Sequence, residues 1–159
     1  MNDSGSGQGL TVVILDDDPM VCEVMAQTVT DFYPWGEVYA FTDFAAARDF
    51  CLGNPSGLAI FLLDVFLGDH TAFDFIEAVK DKYPLAPEDT VIVTGHASND
   101  VVDMCMAAGV NYLLEKPVRP YALQMAVRAI ASKYLRFAVE LRKDPGFALD
   151  VERLGALNY

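Results

Sequence analysis

The chain has few cysteines, few basic residues and no long apolar run. Three cysteines occur among 159 residues, and their wide spacing matches neither a C-x-x-C pair nor a secreted disulfide framework. We therefore expect Cys22, Cys51 and Cys105 to be buried, reduced thiols in a cytoplasmic protein. The longest apolar run, Leu58 to Leu67, is interrupted by Asp64 and falls far short of the roughly 20 residues that a membrane span requires.

Basic residues are scarce relative to acidic ones. Lys and Arg number 11 against 23 Asp and Glu, which gives a net charge of -12. Such a charge repels nucleic-acid phosphates and anionic lipid surfaces, so we expect no direct contact with nucleic acid or membrane. Residues 1–9 are polar, rich in Gly and Ser, and lack the basic and apolar regions of a signal peptide. They are interpreted as a flexible leader, followed by one domain at 10–143 and a tail or the start of a linker at 144–159.

Short apolar runs alternate with longer segments of helical periodicity, which predicts an α/β domain with a parallel sheet covered by helices. The five predicted strands are Thr11–Leu15, Glu37–Phe41, Leu58–Leu63, Thr90–Val93 and Asn111–Leu114. Helix starts are indicated by Asp18-Pro19, by Thr42 or Asp43, and by Ser98 or Asn99. A fifth helix is predicted from about Pro120 to about Arg142; its apolar face extends beyond the length needed to cover a sheet and indicates a partner contact. The segment from Phe147 onward is predicted to be too short to fold alone.

Polar side chains follow four of the five apolar runs at the point where each strand ends. The first run ends in Asp16 and Asp17, the third in Asp64, the fourth in Thr94, and the fifth leads to Lys116. Ligands of open parallel sheets bind at the carboxyl ends of the strands. With the strand order 2-1-3-4-5, these side chains converge on one pocket.

Three carboxylates in one pocket repel one another unless a cation lies between them, and oxygen ligands of this kind suit Mg²⁺. Beside such an ion Asp64 is a candidate nucleophile toward phosphorus, forming an acyl phosphate. Lys116 and Thr94 would supply charge neutralisation and a hydroxyl hydrogen bond. Asp18, by contrast, is interpreted as a helix N-cap only.

The residues around this pocket closely resemble the receiver domain of two-component response regulators, the family that includes the chemotaxis switch protein. The resemblance runs from about Leu10 to Arg142. It rests on the stretches V-V-I-L-D-D-D-P, F-L-L-D-V-F-L-G-D-H-T-A-F-D-F-I, V-I-V-T-G-H-A and A-A-G-V-N-Y-L-L-E-K-P-V. It implies a doubly wound, flavodoxin-like fold with five parallel strands in the order 2-1-3-4-5 and five helices.

The resemblance also implies roles for the pocket residues. Asp17 would bind Mg²⁺ directly, Asp16 largely through metal-bound water, and the Phe66 backbone carbonyl would complete the protein ligands together with Asp64. Asp64 would accept a phosphoryl group from a phosphohistidine. Before transfer Lys116 would pair with the acidic pocket, and afterwards it would pair with the phosphoryl group. The bond between Lys116 and the following proline would be cis.

The chain departs from the family pattern at several positions. Leu113 stands at the switch position, three residues before the lysine, where many receivers have an aromatic residue, and its neighbour Tyr112 is expected to face the other side of the sheet. Gly68 and Ala72 replace a common proline and a common glycine in the loop after the acceptor. Two positions that tune phosphoryl lifetime in the family, two residues after the acceptor and two after the threonine, are Phe66 and His96.

Three functions are compatible with these residues. The first is a signalling domain, phosphorylated at Asp64 by a histidine kinase or a histidine phosphotransfer protein, whose helix 4/strand 5/helix 5 face switches contact with a downstream protein or effector domain and permits homodimerisation. In that case the chain is a phosphoacceptor with intrinsic self-phosphorylation and autodephosphorylation rather than an enzyme. The second is an unphosphorylated docking domain, which the departures at Leu113 and Gly68 permit. The third is an aspartyl-phosphate phosphohydrolase, which would require a carboxylate at the position of Phe66.

Overall fold

The computed structural model describes residues 9–156, and in it the five predicted strands form one parallel sheet. The strands in chain order are β1 Thr11–Leu15, β2 Val38–Phe41, β3 Ala59–Leu63, β4 Phe66–Leu67, β5 His70–Thr71, β6 Thr90–Thr94 and β7 Tyr112–Glu115. The sheet order is β2-β1-β3-β6-β7, while β4 and β5 form a separate two-stranded hairpin. When only the five strands of the sheet are counted in chain order, β6 is the fourth and β7 the fifth. The predicted order 2-1-3-4-5 is therefore confirmed.

Helices cover both faces of the sheet. They are α1 Pro19–Phe32, α2 Phe44–Gly53, α3 Ala72–Val79, α4 Asn99–Ala108, α5 Pro120–Lys143 and α6 Pro145–Gly155. The five predicted helices are confirmed as α1 to α5. A sixth helix, α6, lies in the segment that was expected to be a tail or the start of a linker. Asp144 caps this helix by accepting a hydrogen bond from the Phe147 N–H, and the Phe147 ring packs edge-on against Phe137 of α5.

Helix boundaries follow the capping residues of the sequence. The side chains of Asp18, Asp43 and Ser98 accept hydrogen bonds from the first turns of α1, α2 and α4, as predicted. α4 ends at Gly109, which adopts a left-handed φ of 79° that a residue with a Cβ rarely takes. α3 ends at Val79, shortly before the segment Tyr83-Pro84-Leu85-Ala86-Pro87, whose two prolines disfavour a helix.

The core has two parts, one on each face of the sheet. Alternate residues of the central strands point to opposite faces, so Val13, Phe61 and Ile92 pack beneath α2, α3 and α4. The residues that alternate with these, such as Val12 and Ile60, point to the opposite face and pack against α1 and α5. The side chains of β3 and β6 are buried along their whole length, as strands covered on both faces require.

The predicted leader, residues 1–9, lies almost wholly outside the described part of the chain. Of the predicted leader, only Gly9 lies among the described residues, and its backbone N–H donates to the Trp35 carbonyl. Residues 1–8 and 157–159 lie outside them. No helix within residues 9–156 combines the length and the apolar character needed to cross a lipid bilayer.

Candidate functional site

Three carboxylates meet at the carboxyl end of the sheet. Asp16 and Asp17 follow β1, Asp64 follows β3, and one oxygen of each lies within 4.8 Å of the others. The Asp64 N–H donates to the Leu15 carbonyl at 2.9 Å, which fixes the two strand ends side by side. Asp16 is fully buried, and one of its carboxylate oxygens accepts a hydrogen bond from the Asp18 N–H at 2.9 Å.

Lys116 reaches into this cluster from the end of β7. Its Nζ lies 2.6 Å from Oδ2 of Asp16 and 3.3 Å from Oδ2 of Asp64. The backbone N–H of Lys116 donates to the Thr94 carbonyl at 2.7 Å, so β6 holds the lysine at the pocket. The bond between Lys116 and Pro117 is cis, as predicted.

Burial and charge act on the titrating groups in opposite directions. Burial is the largest influence on Asp64 and, with the neighbouring Asp16 carboxylate, raises the pKa of Asp64 despite the nearby Lys116 ammonium. Burial alone would lower the pKa of Lys116, but its hydrogen bonds and charge interactions with Asp16 and Asp64 raise that pKa overall. The ammonium therefore partly neutralises a pocket that otherwise carries three carboxylates.

Thr94 is the last residue of β6 and is 2% exposed. Its hydroxyl lies 3.4 Å from both the backbone nitrogen and the backbone oxygen of His96, so these contacts are long. The His96 side chain is exposed to solvent, with Nδ1 3.9 Å from the Glu115 carboxylate. Thr94 therefore lies at the end of β6, between β3, which leads to Asp64, and β7, which leads to Lys116. The imidazole of His96 is exposed to water.

The segment after Asp64 forms the β4/β5 hairpin, which the sequence analysis missed. Phe66 pairs with Thr71, and the turn between the two strands begins at Gly68, whose φ of 63° suits glycine. A Gly-Asp pair between two short runs is a hairpin signal that could have predicted this turn. The Phe66 side chain is 61% exposed, so it projects from the protein surface two residues after Asp64.

Leu113 and Tyr112 lie on opposite faces of the sheet, as predicted. Leu113 packs with the core beneath α2, α3 and α4, whereas Tyr112 packs on the side of α1 and α5. The tyrosine is therefore not on the side of the aromatic residue that many receivers have at the Leu113 position.

Glu115 is a residue near the pocket that sequence analysis did not single out. It ends β7 directly before Lys116, and its Oε1 accepts a hydrogen bond from the Ala97 N–H at 3.0 Å. This contact depends on how the loop after Thr94 folds back toward β7. The sequence carries no signal for it.

The three cysteines are buried and unpaired by disulfides, as predicted. Cys22 lies behind the pocket, and its thiol donates to the backbone carbonyls of Asp16 and Phe41. Burial raises the pKa of all three thiols, that of Cys51 to about 12. These groups are therefore protonated and unreactive at neutral pH.

The donor set of the pocket fits a hard divalent cation. Carboxylate and backbone carbonyl oxygens are the ligands that Mg²⁺ prefers, and its remaining positions are usually filled by water. Asp17 is exposed, which leaves one side of the cluster open to solvent. The acidic cluster is thus chemically suited to a partly hydrated Mg²⁺ ion.

Comparison with known proteins agrees with this arrangement. A family model described as the response regulator receiver domain matches residues 12–128. A transcriptional regulatory protein, CitT of Halalkalibacterium halodurans, is 25% identical over 122 residues, which are 77% of this chain and 52% of that protein. The chain therefore spans about half the length of this curated relative.

Solved structures show the same fold. The chemotaxis protein CheY4 of Vibrio cholerae superimposes with a TM-score of 0.66 at 22% identity, covering 77% of this chain and 98% of that one. A response regulator receiver domain from Clostridium thermocellum gives a TM-score of 0.68 at 20% identity, covering 79% and 98%. With the family model matching most of the chain, this protein belongs to the response regulator receiver domain family of two-component signalling systems.

Proposed function

We propose that this domain receives a phosphoryl group on Asp64 from a phosphohistidine of a histidine kinase or a histidine phosphotransfer protein. The observation that carries the proposal is the convergence of three carboxylates with Lys116, whose Nζ lies 2.6 Å from Asp16 and 3.3 Å from Asp64. Asp16, Asp17, Asp64 and the Phe66 backbone carbonyl would hold Mg²⁺. The domain acts as a signalling switch in the cytoplasm.

The transfer needs a nucleophile, a leaving group and neutralisation of charge. A carboxylate oxygen of Asp64 attacks phosphorus, the P–N bond of the phosphohistidine breaks, and its electron pair returns to the imidazole nitrogen. When bound, Mg²⁺ would supply positive charge to the transferred phosphoryl group. Lys116 adds a second positive charge, and Thr94 donates a hydrogen bond to the transferred group. Gly95 leaves open space at this point, because a Cβ there would meet no atom within 4 Å.

A groove beside the pocket supports docking of the phosphodonor protein. It has a volume of about 510 Å³, runs between α1 and the segment after Lys116, and is lined mostly by apolar side chains. Met20 and Val24 are exposed along its edge. Exposed apolar surface next to an acidic pocket suits a protein partner, because a small phosphate donor would not require it.

The output is proposed to pass through the face formed by α4, β7 and α5. Met106, Tyr121 and Met125 of the two helices are exposed. Phosphorylation would alter this face and change its contact with a downstream protein or effector domain, or with a second copy of the chain.

Incubation with acetyl phosphate and Mg²⁺ tests the acceptor. We expect an acid-resistant, hydroxylamine-labile adduct on the parent protein that is lost in Asp64→Asn. Rapid turnover of external phosphomonoesters would instead indicate a phosphohydrolase. If no adduct forms on the parent, the domain is an unphosphorylated docking module and the proposal is wrong.

A further inference from the structure

The loop between β6 and α4, residues 95–98, is attached to β7 through Glu115. Oε1 of Glu115 accepts the Ala97 N–H at 3.0 Å. Glu115 is also the register partner of Thr94 across the two strands. The next residue, Lys116, extends into the acidic pocket. The end of β7 therefore contacts the carboxylates with one side chain and the loop after Thr94 with the preceding one.

The other contacts of this loop are weaker or local. The Thr94 hydroxyl lies 3.4 Å from the His96 backbone atoms, and Ser98 bonds only within α4, which it caps. Gly95 has no Cβ and lies in open space. Among the described residues, the bond from Ala97 to Glu115 is the one hydrogen bond that joins loop 95–98 to an element other than β6 and α4. It is therefore well placed to set the position of the loop.

We propose that Glu115 is a positioning residue that holds loop 95–98, and with it the Thr94 hydroxyl, in the arrangement of the unphosphorylated domain. This inference rests on the proposed phosphorylation of Asp64. In this proposal the Thr94 hydroxyl gives up its 3.4 Å contact with the His96 carbonyl in order to donate a hydrogen bond to a phosphoryl group on Asp64, and loop 95–98 shifts with it.

A shift of this loop stretches or breaks the bond from Ala97 to Glu115. The bond therefore stabilises the unphosphorylated arrangement and opposes the phosphorylated one. Leu113 has no polar group with which to hold the loop. In this chain the loop after Thr94 is instead joined to β7 by the hydrogen bond from the Ala97 N–H to the Glu115 carboxylate.

The test compares Glu115→Ala with Glu115→Gln in the full chain. Each is treated with phosphoramidate and Mg²⁺, and the rate of phosphorylation at Asp64 is measured. We expect Glu115→Ala to react about fivefold faster than the parent, the factor produced by loss of one exposed hydrogen bond. Glu115→Gln retains a carbonyl oxygen that can accept the Ala97 N–H, so its rate should stay within about twofold of the parent rate.

The glutamine variant separates the loop contact from a simple charge effect. Phosphoramidate is an anion, and removing a negative charge near the pocket would speed its approach in both variants. Equal acceleration by Glu115→Ala and Glu115→Gln would therefore overturn the proposal. Glu115 is more than half exposed, with a side-chain exposure of 56%, and unfolding in urea should show both variants folded.

A second measurement does not depend on phosphorylation. Exchange of the Ala97 amide proton with water, followed by NMR without any phosphodonor, should be about fivefold faster in Glu115→Ala and nearly unchanged in Glu115→Gln. Unchanged exchange in Glu115→Ala would overturn the positioning role. If the parent took no phosphoryl group, the proposed function would fail, and the amide exchange would still decide whether Glu115 holds the loop.

Discussion

At the scale of single residues, Phe66 is the side chain best placed to influence how long a phosphoryl group stays on Asp64. It follows the proposed acceptor by two positions, begins the β4/β5 hairpin, and exposes most of its ring. Its backbone carbonyl is a proposed metal ligand, and that group is unchanged by substitution of the side chain. The effect of the ring can therefore be tested separately from metal binding.

We predict that Phe66→Asn shortens the half-life of the acyl phosphate. A bulky apolar ring hinders the approach of water to the phosphorus, whereas an amide admits and orients water, so the half-life should fall about threefold or more. The decay is followed after removal of the phosphodonor, with Mg²⁺ present throughout. Phe66→Leu, which retains an apolar side chain, is the matched control and should stay close to the parent. A half-life in Phe66→Asn equal to or longer than that of the parent would show that the ring does not shield the phosphoryl group.

The convergence of the carboxylates and Lys116 could be predicted because these residues lie at the carboxyl ends of the strand-forming apolar runs. In a parallel sheet all strand ends meet at one edge, so chain position alone locates such residues. The contact of Glu115 with Ala97 and the exposure of Phe66 could not be predicted in this way. Both depend on the path of a loop or a hairpin after the strand has ended.

At the scale of secondary-structure elements, a buried carboxylate joins α5 to the amino-terminal edge of the sheet. Asp89, which is 2% exposed, directly precedes β6. Its carboxylate accepts hydrogen bonds from the Tyr134 hydroxyl and from Nζ of Lys133, the latter at 3.1 Å. These bonds lie at the end of the sheet opposite the acidic pocket, so they affect stability without touching the proposed site.

We predict that Tyr134→Phe lowers the free energy of unfolding by about 1 to 2 kcal/mol, because a buried carboxylate loses one of its hydrogen bonds. The matched control is Tyr121→Phe, on the same helix. Tyr121 is 80% exposed, and its replacement should change stability by less than about 0.5 kcal/mol. Urea unfolding at neutral pH measures both. Equal losses in the two variants would show that the bond to Asp89 contributes nothing.

The hydrogen bond from Tyr134 to Asp89 also makes the difference in unfolding free energy between the parent and Tyr134→Phe depend on pH. Burial, followed by the hydrogen bond to Asp89, raises the pKa of Tyr134 in the folded protein. The folded protein therefore keeps this proton above about pH 10, where the unfolded chain loses it. Ionisation stabilises the unfolded state of the parent only, so the advantage of the parent over Tyr134→Phe should be constant below that pH and shrink above it.

The five sheet strands were predictable because their apolar runs are short and bounded by turn residues. α6 was missed because a segment of this length is rarely helical by itself. Asp144 followed by proline was nevertheless a helix-start signal of the same kind as Asp18 followed by Pro19. What could not be predicted was the contact between Phe137 and Phe147, which packs α6 against α5.

At the scale of the whole molecule, charge is unevenly distributed. The net charge is -12, yet five of the 11 basic residues lie on α5. The rest of the chain, which includes the pocket at the carboxyl end of the sheet, therefore carries a larger excess of negative charge than the chain as a whole. Any salt stabilises such a protein by screening the repulsion, so a specific effect of Mg²⁺ must be measured at constant ionic strength.

We predict that Mg²⁺ stabilises the folded domain beyond this screening. Three carboxylates in one pocket favour a bound divalent ion, and binding to the folded state alone adds about 2.7 kcal/mol when free Mg²⁺ is 100 times its Kd. Urea unfolding with MgCl₂, compared with NaCl of equal ionic strength, measures the increment. Asp17→Asn should lose most of it.

Without Mg²⁺, Asp17→Asn should be at least as stable as the parent, because one of three mutually repelling charges is gone. Asp103→Asn makes the same change of charge on an exposed residue of α4, outside the cluster, and should retain the full Mg²⁺ increment. If Asp103→Asn lost as much as Asp17→Asn, the stabilisation would belong to the overall charge of the chain. A loss confined to Asp17→Asn would instead assign the stabilisation to the pocket. Among the described residues, only there does the fold bring three carboxylates, from the ends of β1 and β3, within reach of one ion.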